Sequence, residues 1–139
     1  MQYRKFGEDY VIRLDKGEEV LGCLKEFCER EDIAMGTVEG IGAADYAVIG
    51  LYDVPQRVFH SETLNGSMEI SALMGNISRM DDETYLHIHA TLCDVSLETR
   101  GGHISELRIS STCELAVRPM KGSATRAYDP DTGLNIYDF

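Results

Sequence analysis

Apolar and polar positions alternate with period two along most of the chain and switch to a helical period only once. Val11-Ile12-Arg13-Leu14 predicts a short strand, and from Glu18 to Glu31 the residues Val20, Leu21, Leu24, Phe27 and Cys28 recur at helical spacing. Asp15 is the expected N-cap, with Glu18 three residues on as in a capping box, and Glu19, Lys25, Glu26, Glu29 and Arg30 make a solvated face. Ile33 to Gly42 predicts a strand running into a tight glycine-rich turn, followed by a strand from Ala44 to Tyr52. No helix follows these glycines, so the pattern of a phosphate cradle is missing. Val58 to Leu64 and Met68 to Ile77 predict two strands paired through a hairpin turn at Asn65-Gly66. The acidic turn Arg79-Met80-Asp81-Asp82-Glu83 then leads into Thr84 to Cys93, expected to pair back on Met68 to Ile77. Cys113 to Val117 continues the apolar pattern, and Ala124 to Leu134 reads as a tail. Without a linker or repeat, residues 1–139 form one α+β domain with an antiparallel or mixed sheet and one principal helix.

The segment Tyr85 to Cys93 changes this picture from architecture to chemistry. Successive side chains of a strand point to opposite faces, so Leu86, Ile88, Ala90 and Leu92 share a core face. Tyr85, His87, His89, Thr91 and Cys93 share the other, a row suited to a polar partner, a second chain or a metal ion. His103 follows Gly101-Gly102, a pair with the backbone freedom to bring a third imidazole close. Zinc is commonly held by imidazole nitrogens at about 2.0–2.1 Å, and catalytic sites pair three protein ligands with a water. The spacing permits a site of His87, His89 and His103 without demanding one, because His-x-His on a sheet face also serves ordinary hydrogen bonding. Asp94, Glu98 and Glu106 are the carboxylates available to hydrogen-bond and orient the histidines or to act as general bases, although each also fits a plain surface role. His60 stands alone in another strand and reads as structural or exposed.

Composition narrows the function classes. Twenty-four acidic residues against thirteen basic ones give a formal charge of −11 and the basic residues are scattered, which disfavours unaided DNA binding. No apolar run approaches the ~20 residues of a membrane-spanning helix, and the N-terminus lacks a secretory signal, so a cytoplasmic address is expected with no membrane partner. Cys23, Cys28, Cys93 and Cys113 form no Cys-x-x-Cys pair and fall in apolar segments, the pattern of buried thiols in a reducing compartment. Cys93 as a fourth ligand is the functional alternative.

Taken in order, several short segments resemble the plant and prokaryote conserved (PPC) domain, also called domain of unknown function 296. They are Val38-Glu39-Gly40-Ile41-Gly42-Ala43 after the helix, Gly50-Leu51-Tyr52-Asp53, Glu69-Ile70, Leu86-His87-Ile88-His89-Ala90, Gly101-Gly102-His103-Ile104, and Arg126 with Asp129 and Thr132-Gly133-Leu134. The resemblance implies an α+β fold that assembles as a homotrimer, with His87, His89 and His103 as a site for zinc or another divalent metal. In plants the domain follows a basic AT-hook, which gives the family its DNA-binding label, and this chain has no such segment. The plant Gly-Arg-Phe-Glu-Ile pattern is here Gly66-Ser67-Met68-Glu69-Ile70, without the arginine and aromatic associated with partner contact. Three functions follow as expectations: a trimeric metal-binding domain with a regulatory or small-molecule-sensing role, a DNA-binding protein, and a metal-dependent enzyme using an open coordination position.

Overall fold

In the computed structural model, which describes residues 1–139, the elements follow in the order β1 (Gln2–Phe6), β2 (Asp9–Asp15), α1 (Val20–Arg30), β3 (Gly36–Asp53), β4 (Val58–Met80), β5 (Glu83–Asp94), β6 (Thr99–Pro119), β7 (Arg126–Asp129) and β8 (Leu134–Tyr137). Every strand pairing is antiparallel, and the main sheet runs β1-β2-β6-β3-β4-β5. β5 also pairs with the start of β6, from His89↔His103 to Cys93↔Thr99, so β3, β4, β5 and β6 close into a ring. Beyond that stretch β5 and β6 diverge, and α1 packs against both.

The helix sits there because one of its faces is fully apolar: Val20, Leu24, Phe27 and Cys28 are buried. They meet Ile12 and Leu14 of β2, Ile88 of β5 and Leu107 and Ile109 of β6 in a single core. Burying each such Leu, Ile or Phe side chain is worth about 1.5–3 kcal/mol relative to exposure. At the far end of the helix, Tyr3 and Tyr10 pack edge-on against the Phe27 ring at 4.9 and 5.1 Å, and both hydroxyls donate to the Glu31 carboxylate.

The helix start differs from the expected one. Glu19, not Asp15, is the N-cap, its carboxylate accepting from the amides of Leu21 and Gly22 at 3.1 and 2.6 Å. Glu18 does reach back to the Asp15 amide at 2.8 Å, but the Asp15 carboxylate turns to Arg13 Nε. Gly17, at φ +88°, keeps the chain in a turn here, and its amide donates to the carbonyl of Ile109 on β6.

Two expected turns are instead irregularities inside long strands. Gly40-Ile41-Gly42 lies within β3, where the register with β4 shifts between Gly40 and Gly42. Neither glycine has positive φ. What they provide is room, since a Cβ at Gly40 would fall 2.3 Å from the carbonyl oxygen of Glu114 on β6. Asn65-Gly66 likewise lies within β4, whose two halves both pair with β3 rather than with each other. A two-residue hairpin turn of the Asn-Gly type needs positive φ at both positions, and only Gly66 has it, at +107°. The true turn is Asp81-Asp82, with φ +52° and +64°, which joins β4 to β5 as the acidic segment predicts. The expected tail holds β7 and only the first residue of β8, and these two strands pair into a small sheet of their own.

The outer face of the main sheet has no helix over it. Direct cross-strand partners run across it in one line, Arg4, Val11, Ala116, Glu39, Met74, His89 and His103. Val11, Met74 and the nearby Ile41 are 51%, 61% and 61% exposed.

Candidate metal centre

The alternation of β5 works as the sequence requires: Ile88, Ala90 and Leu92 are buried, while His87 and His89 emerge on the outer face. His103 arrives opposite His89 because β6 folds back onto β5. Gly101 and Gly102 make this possible by lacking side chains, not by positive φ, which neither adopts. A Cβ at Gly102 would stand 2.5 Å from the carbonyl oxygen of Gly50 on β3.

The three imidazoles converge. His87 Nε2 and His89 Nε2 are 3.2 Å apart, and one ring nitrogen from each of the three residues lies within 4.8 Å of the other two. Two nitrogens bound to one tetrahedral zinc at about 2.0–2.1 Å are separated by about 3.3 Å. The closest pair already matches that spacing, and no pair need shorten by more than about 1.5 Å, a change within reach of side-chain torsions. Burial holds the His87 and His103 rings below the usual imidazole range, reinforced by neighbouring imidazoles and, for His87, by Arg126. Both are therefore neutral at neutral pH, the form that offers a lone pair to a metal. The donor set, three imidazole nitrogens with no carboxylate among them, suits zinc and similar divalent ions.

Other sequence candidates stand apart from this group. Asp94 accepts from the Ser96 amide at 2.8 Å and its hydroxyl at 2.6 Å, so it fastens the β5–β6 turn, and these bonds hold its carboxyl below the usual range. Glu98 is exposed in the same turn, its amide donating to Asp94. Glu106 is exposed near the Tyr46 phenol, which burial, chiefly, and then Glu106 push up. The Cys93 thiol lies against the carbonyl of Asp94, and His60 is exposed on β4 opposite Leu51. Cys28 and Cys113 are buried, their thiols pushed up to about 12 by desolvation, whereas Cys23 and Cys93 are half-buried.

Several residues flank the histidines that the linear pattern did not bring forward. Phe59 of β4 stands edge-on to the His103 ring at 5.9 Å. Asn76 and Met74 lie directly across β4 from His87 and His89. Arg126 of β7 donates through Nε to Ser78 Oγ at 2.9 Å and through its two terminal nitrogens to Asn76 Oδ1 at 2.7 Å and the Asn135 carbonyl at 2.8 Å. Its guanidinium also packs over the rings of Tyr85 and Tyr137 at 5.0 and 4.2 Å. Tyr85 was visible as a member of the histidine row and Arg126 as part of the resemblance; Asn76 becomes visible only with the β4–β5 register.

Comparison with known proteins yields a consistent set. A model of the Plants and Prokaryotes Conserved (PCC) domain matches residues 1–121. Among solved structures, a protein from Bacteroides thetaiotaomicron provisionally described as DNA-binding is 33% identical, with a TM-score of 0.96 over 99% of this chain and 96% of its own. A metal-containing protein from Archaeoglobus fulgidus is 32% identical at a TM-score of 0.90, covering 100% and 99% of the two chains. A plant- and prokaryote-conserved protein from Pyrococcus horikoshii is 27% identical at 0.87, covering 99% and 95%. No curated protein matches the sequence.

Proposed function

The chain belongs to the Plants and Prokaryotes Conserved domain family, and from that premise we propose that it is a small metal-binding protein in which His87, His89 and His103 hold one divalent ion, zinc being the best suited. The observation that carries this reading is the convergence of three ring nitrogens within 4.8 Å of one another on a rigid sheet face. The description of the Archaeoglobus fulgidus relative as metal-containing supports it. Three imidazoles leave a coordination position free, where a bound ion supplies Lewis acidity to a small ligand or to water. No carboxylate joins the histidines to act as a general base, so a regulatory or ligand-sensing role fits better than hydrolysis.

We assign the uncovered outer face away from the histidines, with Val11 and Ile41 exposed, to contacts between copies in a homotrimer. No helix is long and apolar enough to cross a membrane, and the four unpaired cysteines suit a reducing cytoplasm. Metal analysis of purified protein tests the centre. Wild type is expected to carry about one ion per chain at a mass three times 15.5 kDa by light scattering, with His87→Ala losing most of the metal. Equal metal content in the two proteins would remove the proposal.

DNA binding is the second reading, because relatives from Bacteroides thetaiotaomicron and Ralstonia eutropha carry that provisional description. For this chain it meets the wrong field. The net charge is −11, and seven of the thirteen basic side chains, Arg13, Lys25, Arg30, Arg79, Arg100, Arg108 and Arg118, are already paired with carboxylates. AT-rich duplex is therefore expected not to be retained even at about 50 mM salt. Retention at that salt, weakening steeply as salt rises, would restore the DNA reading.

A further inference from the structure

The β7–β8 hairpin lies beyond the matched family region, yet it delivers a fixed cation beside the histidines. Arg126 is half-buried and cannot swing away, being held by three hydrogen bonds and two aromatic rings. Two of those partners border His87 directly: Asn76 is its cross-strand neighbour, and Tyr85 lies two residues along the same face. A guanidinium carries five N–H donors, and the hydrogen bonds above account for three, leaving two.

Charge decides what such a place accepts. Imidazoles bring no negative charge to offset a divalent ion, no carboxylate belongs to the histidine group, and Arg126 adds a permanent positive charge. The excess positive charge favours an anion over a neutral water at the open position. Apolar surface adjoins the same point, since Phe59 meets His103 edge-on and Met74 stands 61% exposed across from His89. We infer that the site takes a small organic carboxylate, its anionic group shared between the metal's open position and Arg126 and its short apolar part resting on Phe59 and Met74. This rests on the metal-centre reading and goes beyond it by assigning the ligand class and giving Arg126 the role of selecting it.

Cobalt(II)-loaded protein, with metal content measured for each variant, reports both matters through its visible absorption bands. Uptake of cobalt by wild type is read first; its absence would overturn the metal centre and the ligand with it. Propionate is then expected to shift the bands saturably in wild type. Arg126→Gln is expected to need about tenfold more propionate or higher, the worth of a charged hydrogen bond. Arg126→Lys keeps the charge and gives up the planar fork, so its half-saturation should fall between the two, and it carries the comparison if circular dichroism shows the glutamine variant unfolded. With cobalt bound, equal half-saturation in wild type and the variants would overturn the inference, as would absence of a propionate shift. Saturation by inorganic phosphate at lower concentration than propionate would overturn the choice of a carboxylate.

Discussion

Phe27→Ala is expected to lower the unfolding free energy by about 3–5 kcal/mol, read from the midpoint of a denaturant titration. Small domains hold only about 5–15 kcal/mol in total, so this one change removes about a fifth or more. The size of the effect follows from position. Phe27 is fully buried where α1 meets the β1–β2 hairpin, and the rings of Tyr3 and Tyr10 lie edge-on to it within 5.1 Å. Truncation leaves a cavity, and it also loosens the two tyrosines whose hydroxyls grip Glu31 at the end of the helix. Phe6→Ala serves as the comparison, because Phe6 is 56% exposed and its loss should stay within about 0.5 kcal/mol. A cost below about 1 kcal/mol at Phe27 would contradict the packing described.

Gly75→Ala is expected to damage fold and site together. Gly75 sits in β4 with ordinary backbone geometry, but a Cβ there would fall 2.2 Å from the carbonyl oxygen of His87 and 2.6 Å from the Ile88 side chain. Neither can retreat cheaply, since Ile88 is buried and the His87 carbonyl belongs to the strand that carries His87 and His89. Overpacking of this kind costs about 1–3 kcal/mol, and relief requires β5 to move at His87. Zinc affinity measured by calorimetry on folded protein should therefore fall along with stability. Gly66→Ala is the contrast: its φ of +107° imposes strain of order 1–3 kcal/mol, yet open space surrounds the position and no histidine is touched. Unchanged metal affinity in Gly75→Ala would break the proposed link between strand spacing and the centre.

The parts of this protein that the sequence makes legible are those governed by one strand or one helix at a time. The two faces of β5 follow from alternation alone, and so does the buried stripe of α1. Failures occur where two strands decide jointly. Asn65-Gly66 has hairpin chemistry, but β3 bends beside it, with its own irregularity between Ala44 and Tyr46, and the two strands carry on together. Gly40, Gly42 and Gly102 look like sources of backbone freedom, whereas they serve as gaps through which a neighbouring strand passes. A strand's own residues do not state how near its neighbour will come. For the same reason Asn76 beside His87 was unreadable until the β4–β5 register was known.

Ring closure bears on how the protein moves. His103 lies on a strand flanked on both sides, by Gly50 of β3 and by His89 of β5, and His89 in turn is flanked by Met74 of β4. Strands flanked on both sides here are not free to peel away, so amide hydrogen exchange along this stretch should track global unfolding. The two-stranded β7–β8 hairpin has no such protection and should exchange by local fraying. The imidazoles thus stand on the slowest part of the molecule, whereas the outer end of the hairpin frays without releasing Arg126, whose guanidinium stays tied to Ser78 and Asn76 of β4, which separates the lifetime of the histidine group from the breathing of the wall beside it.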